Sequence, residues 1–156
     1  MKSPWICALR SVSLTVPDLA AAELFYTQTW GLKIIAQLPG VVYLRGSGCD
    51  HHLLSLHEAA GTPQIRLVTL RARSQSALDE IAKATVSAGG VIERAGKASD
   101  PAGGQVLVIR DPDGRRIEIV HGDAQLPNET PVPQDQPIRL AHAVLNSHAV
   151  EETRAF

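Results

Sequence analysis

A chain of 156 residues can build one domain with a genuine core and is short for two complete ones. Fifteen basic against sixteen acidic residues leave a formal charge of -1, which excludes a field that draws nucleic acid or an anionic membrane. The apolar runs are too short to span a bilayer, MKSPWICALRSVSL makes a poor signal peptide, and Cys7 and Cys49 form neither a CxxC pair nor a disulfide framework. A cytoplasmic globular domain is therefore expected.

The first element is a strand. In SVSLTV, Val12, Leu14 and Val16 alternate with Ser11, Ser13 and Thr15, the period of a half-buried β-strand. Pro17-Asp18 then opens a helix: Asp18 can cap its free amides, Leu19, Ala22 and Phe25 or Tyr26 form an apolar stripe, and Gly31 fits a left-handed stop. Three strands follow, around Lys33–Gln37, Val41–Arg45 and His51–His57. A second helix is expected from a Ser76/Asp79 capping pattern, burying Leu78, Ile81, Ala82 and Thr85 and ending at Gly89-Gly90. Strands around Val91–Glu93, Gln105–Arg110 and Arg116–His121 complete the series.

The series repeats. LRSVSL (from Leu9) lies over IRLVTL (from Ile65) at an offset of 56, and HHLLSLH (from His51) over RRIEIVH (from Arg115) at an offset of 64. The unit is βαβββ, present twice. The expected class is α+β, with paired units whose curved mixed sheets surround a cleft. After residues 1–122 comes GDAQLPNETPVPQDQP, which holds four of the ten prolines and reads as a linker over 123–137. LAHAVL (from Leu140) falls on LRSVSL at an offset of 131, so residues 138–156 read as the start of a third unit, cut off within its helix. Its strand-to-helix turn, His148-Ala149, caps less well than Pro17-Asp18. This tail is expected to dock on the domain or to pair with another chain, making a homo-oligomer.

VPDLAAAELFYTQTWGL after an alternating strand, with DPDGRRIEIV closing the second unit, resembles the vicinal oxygen chelate superfamily. That superfamily includes glyoxalase I, bleomycin and fosfomycin resistance proteins, methylmalonyl-CoA epimerase and type I extradiol dioxygenases. The linker followed by HAVLNSHAVEETRAF is similar to the two-domain extradiol dioxygenases, which place a metal-free paired-unit domain before a catalytic one. The resemblance implies that His142 is an iron ligand in the parent protein. It also implies a parent that holds Fe(II), or Mn or another divalent metal, chelates a catechol-type aromatic substrate and cleaves its ring.

In metal-binding members the ligands come from the first and last strand of each unit. The resemblance and the repeat map these positions onto Ser11, Leu54, Leu67 and Glu118, and the cleft lining also takes in Ser13 and Thr69. One carboxylate beside two leucines does not meet the need of an Fe(II) site for about three ligands, so the complete domain is expected to hold no metal and no complete catalytic set. His52 is placed by alternation on the cleft face with Leu54 and Leu56, and offers a second ligand beside Glu118; the competing reading is a polar residue at the cleft mouth. Glu118 is expected to pair with an arginine such as Arg71 or Arg116. Cys49 lies near His51 and His52, a spacing poor for zinc, and there is no GxSxG, GxGxxG or Walker pattern. Two alternatives stand beside the dioxygenase reading. One is a resistance-type binder of a small planar ligand between Trp30 and Tyr43. The other is a homodimeric glyoxalase-like or epimerase-like metalloenzyme.

Overall fold

The computed structural model describes residues 4–156. It contains eleven elements: β1 (Ile6–Val16), α1 (Leu19–Gln28), β2 (Lys33–Leu38), β3 (Val41–Arg45), β4 (Leu54–Glu58), β5 (Gln64–Ala72), α2 (Gln75–Ser87), β6 (Val91–Lys97), β7 (Gln105–Arg110), β8 (Arg116–His121) and α3 (Val150–Ala155). Two compact units emerge. The first comprises Arg10–Arg66 with Ala124–Ala141; the second comprises residues 4–9, Leu67–Asp123 and His142–Phe156. Each is a mixed α+β layer built on one βαβββ series.

In the first unit the strand order is β2-β3-β4-β1. β2 to β4 form an antiparallel meander, and β4 lies parallel to β1 with Val12 beside Leu54 and Ser13 beside Ser55. A parallel neighbour needs a long crossover, which α1 and the meander supply. Asp18 caps α1 by accepting from the Ala21 amide at 2.9 Å, and Gly31 follows the helix at φ 66°, a conformation that costs glycine little. Leu19, Ala22 and Tyr26 pack on Val16, Leu32, Val42, Leu44, Leu53, Leu54 and Leu56. The stripe thus uses Tyr26, while Phe25 stays half exposed. Replacing Asp18 by alanine should cost about 1 kcal/mol, read as a lower urea midpoint at unchanged slope.

The second unit repeats the plan in the order β5-β8-β7-β6, with β5 parallel to β8 and Thr69 beside Glu118. Leu78, Ile81 and Ala82 of α2 pack on Ala72, Leu107, Ile109 and Ile119. The cap differs from expectation. Ser74, not Ser76, accepts from the Ala77 amide at 3.1 Å, because α2 begins one residue after Ser74; Asp79 instead accepts from Gln75 Nε2.

The segment read as a linker is a strap on the first unit. The amides of Ser47 and Gly48 donate to the carbonyls of Pro137 and Ile138, the Leu126 amide donates to Cys49 O, and Glu129 pairs with Lys33 at 2.7 Å. Leu140–Leu145 form no strand, so the first strand of a third unit is absent here; its helix, α3, does form, with no side-chain cap at Ala149. The tail docks on the second unit. Phe156 joins the α2 core, Arg115 donates to the Asn146 carbonyl, and Asp113 accepts from the His148 amide and Thr153 Oγ1.

Candidate functional site

Each sheet buries one face under its helix and carries polar side chains on the other. In the first unit, Ser55 Oγ donates to Ser13 Oγ at 2.7 Å. With that proton committed, His57 Nε2, 3.1 Å from Ser55 Oγ, is the donor in the second bond. Tyr43, opposite Ser55 in the ladder, sets its ring edge-on to His52 at 4.9 Å and to His57 at 6.4 Å. Beside them the buried Arg10 directs Nη1 to Ser11 Oγ at 2.8 Å and to His52 Nε2 at 2.5 Å.

Arginine has only donors, so His52 Nε2 is an acceptor and the ring carries its proton on Nδ1. That proton faces His51 Nδ1 at 3.1 Å, which makes His51 the acceptor there. Burial, reinforced by the Arg10 charge, pushes His52 down to about 2; burial and Arg66 push His57 down to about 4. Both rings are neutral at pH 7.

In the second unit, Thr69 Oγ1 donates to Glu118 Oε1 at 3.2 Å, and Arg94 Nη2 stands 3.5 Å from Glu118 Oε2. The two arginines named as candidate partners each bond another carboxylate. Arg71 makes a two-pronged bridge to Asp123 at 2.9 and 2.6 Å, and Arg116 bonds Glu93.

The ladders correct the repeat by one residue. Ser13 lies over Thr69 at an offset of 56, and their parallel neighbours are Ser55 and Glu118, an offset of 63. The counterpart of Glu118 is therefore Ser55, not Leu54. A slip of one residue moves a side chain to the other face of a sheet, and Leu54 does lie in the α1-covered core. His52 is corrected for the same reason. It precedes β4, so alternation does not link it to Leu54 and Leu56, and it shares the Tyr43 side with His51 and His57. Trp30 and Tyr43 do not form one wall: Trp30 stacks edge-on to Tyr26 at 5.3 Å, by α1, while Tyr43 lies on the opposite face of the sheet.

With the register corrected, the family's ligand positions hold Ser11 and Ser55 in the first unit, Leu67 and Glu118 in the second. A leucine cannot coordinate, two serine hydroxyls are weak neutral donors, and Glu118 is held by Thr69 and Arg94. These residues do not fit a divalent catalytic metal. Among the described residues no group of three His, Cys, Asp or Glu is placed to hold an ion, and His142 is exposed outside any strand.

Residues 8–119 match the Glyoxalase/Bleomycin resistance protein/Dioxygenase superfamily, and the chain belongs to it. Among solved structures it is similar to the Mn(II)-bound glyoxalase from Novosphingobium aromaticivorans, with 24% identity, a TM-score of 0.89, and 96% of this chain on 50% of that one. It is also similar to a variant of homoprotocatechuate 2,3-dioxygenase from Brevibacterium fuscum, with 23% identity, a TM-score of 0.81, and 89% of this chain on 40% of that one. At these identities the likeness is one of fold, and the chain spans half or less of each of these structures. No curated protein matches the chain.

Proposed function

We propose that the βαβββ pair of this chain is a metal-free, non-catalytic member of its superfamily, which binds a small molecule rather than turning it over. One observation carries the reading: the corrected ligand positions hold Ser11, Ser55, Leu67 and Glu118, and only one of the four is a strong ligand. Calorimetric titration with Fe(II), Mn(II) and Zn(II) should give no stoichiometric binding. Saturable uptake of one ion per chain, lost in Glu118→Ala, would overturn it.

A wider reading places this domain at the front of a longer, Fe(II)- or Mn(II)-dependent extradiol dioxygenase that opens a catechol-type ring. Support comes from the lengths of the similar structures and from the dioxygenase among them. In that reading His142 is a ligand, and the further ligands belong to the catalytic domain of the longer protein. The chain alone then shows no ring cleavage in a catechol assay with added Fe(II).

A further inference from the structure

Inside the first unit, on the α1 side of the sheet, lies an apolar cavity of about 200 Å³. Val12 and Leu14 of β1 form one wall and Tyr26 and Trp30 another, while Pro137 and Leu140 of the strap make the roof. No charged side chain lines it. We propose that this cavity is a binding site for a single-ring aromatic molecule carrying at most one hydrogen-bonding substituent. The inference rests on reading the domain as a small-molecule binder, and it places the ligand away from the polar face that bears Ser13, Ser55 and His57.

Volume and chemistry set the class. A dry cavity of about 150 Å³ lined by aliphatic and aromatic groups takes benzene, so 200 Å³ holds one ring and a small substituent. Tyr26 and Trp30 meet at 73° with centroids 5.3 Å apart, a geometry that offers ring faces and edges to a third aromatic. An ionised ligand would give up its hydration with no counter-charge to replace it, which excludes carboxylates and phosphates. Of the lining residues, Tyr26 and Trp30 are those whose side chains carry a polar group, a hydroxyl and a ring N–H. Burial raises the Tyr26 phenol further, so it stays a neutral donor.

The roof is built in. Ser47 N donates to Pro137 O at 2.9 Å and Gly48 N to Ile138 O at 3.1 Å. A Cβ on Gly46 or Gly48 would overlap those same carbonyls, so glycine permits the close seating of the strap. A pocket formed before its ligand arrives loses little ordering entropy on binding.

The test titrates the full, isotope-labelled chain with toluene, following amide shifts and Trp30 fluorescence, with benzoate as the charged comparison. Saturable shifts at Val12, Leu14 and Leu140, half-complete at or below about 1 mM, are expected, with benzoate at least about tenfold weaker. Leu140→Trp fills the cavity from the half-buried roof and should weaken toluene at least about tenfold; Leu14→Phe does the same from the sheet if the first variant unfolds. Saturation centred on Tyr43 and His57 would overturn the site while leaving a binding domain in place. Shifts that never saturate, or full affinity in a folded cavity-filling variant, would overturn the inference outright.

Discussion

Lowering the pH from 7 to 4.5 is expected to shift the urea midpoint of this protein sharply downward, with the slope unchanged. His57 sits near pKa 4 and His52 near 2 in the folded chain, against about 6.5 when unfolded. The folded pKa is depressed, so the unfolded chain binds more protons between these values and stability falls as pH falls. The contribution is complete above about pH 6.5, and the His57 part is lost by about pH 4. The His52 part continues to fall below that. For His57 the linkage is on the order of 3 kcal/mol at most, and somewhat less because its ring keeps some contact with water. The cause is a neutral-only arrangement. His52 Nε2 must accept from Arg10, and a proton there would set two cations against each other in a buried site. His57→Gln and His52→Gln, each keeping a hydrogen-bonding side chain, should flatten the pH dependence. Equal midpoints for the unaltered protein at pH 7 and pH 4.5 would refute the account.

Gly46→Ala is expected to cost about 3 kcal/mol and to release the strap. Gly46 has no positive φ, so the cost is not backbone strain at position 46. It arises because a methyl group there would overlap the Pro137 carbonyl and approach Leu53 Cδ1 at 2.9 Å. The strap must lift, and lifting breaks the bonds of Ser47 and Gly48 to Pro137 and Ile138. The readout is a lower urea midpoint together with faster proteolysis between residues 126 and 141. Gly61→Ala is the comparison: its φ of 106° is strained for alanine, yet nothing lies within 4 Å of the added carbon. It should lose about 1 kcal/mol and leave the strap resistant. Unchanged proteolysis in Gly46→Ala would mean that the strap is not seated by that glycine.

Much of this architecture was legible because its signals are local. The alternation of SVSLTV, the Asp18 cap and the Leu19/Ala22 stripe each lie within a few residues, where chain geometry alone decides who faces whom, while the choice of Tyr26 over Phe25 came from packing. The second helix cap lies two residues before the one the sequence suggests, because Ser74 and Ser76 are chemically equal and only the start of α2 chooses between them. The site was less legible. HHLLSLH and RRIEIVH align equally plausibly at offsets of 63 and 64, and the difference decides whether Ser55 or Leu54 stands opposite Glu118 in the repeat.

The strap shows the same division. A run with four prolines in GDAQLPNETPVPQDQP carries no periodicity, so its composition says linker; its seat depends on glycines 46 and 48, about ninety residues earlier in the chain. The sequence by itself determined the paired βαβββ units and their superfamily, since these follow from residue types and short periods. Only the tertiary structure decided which residue of β4 faces away from α1, where His52 finds Arg10, and that the strap roofs an apolar cavity. Those outcomes depend on pairing between distant segments, where a single residue of register turns a side chain from one face of a sheet to the other.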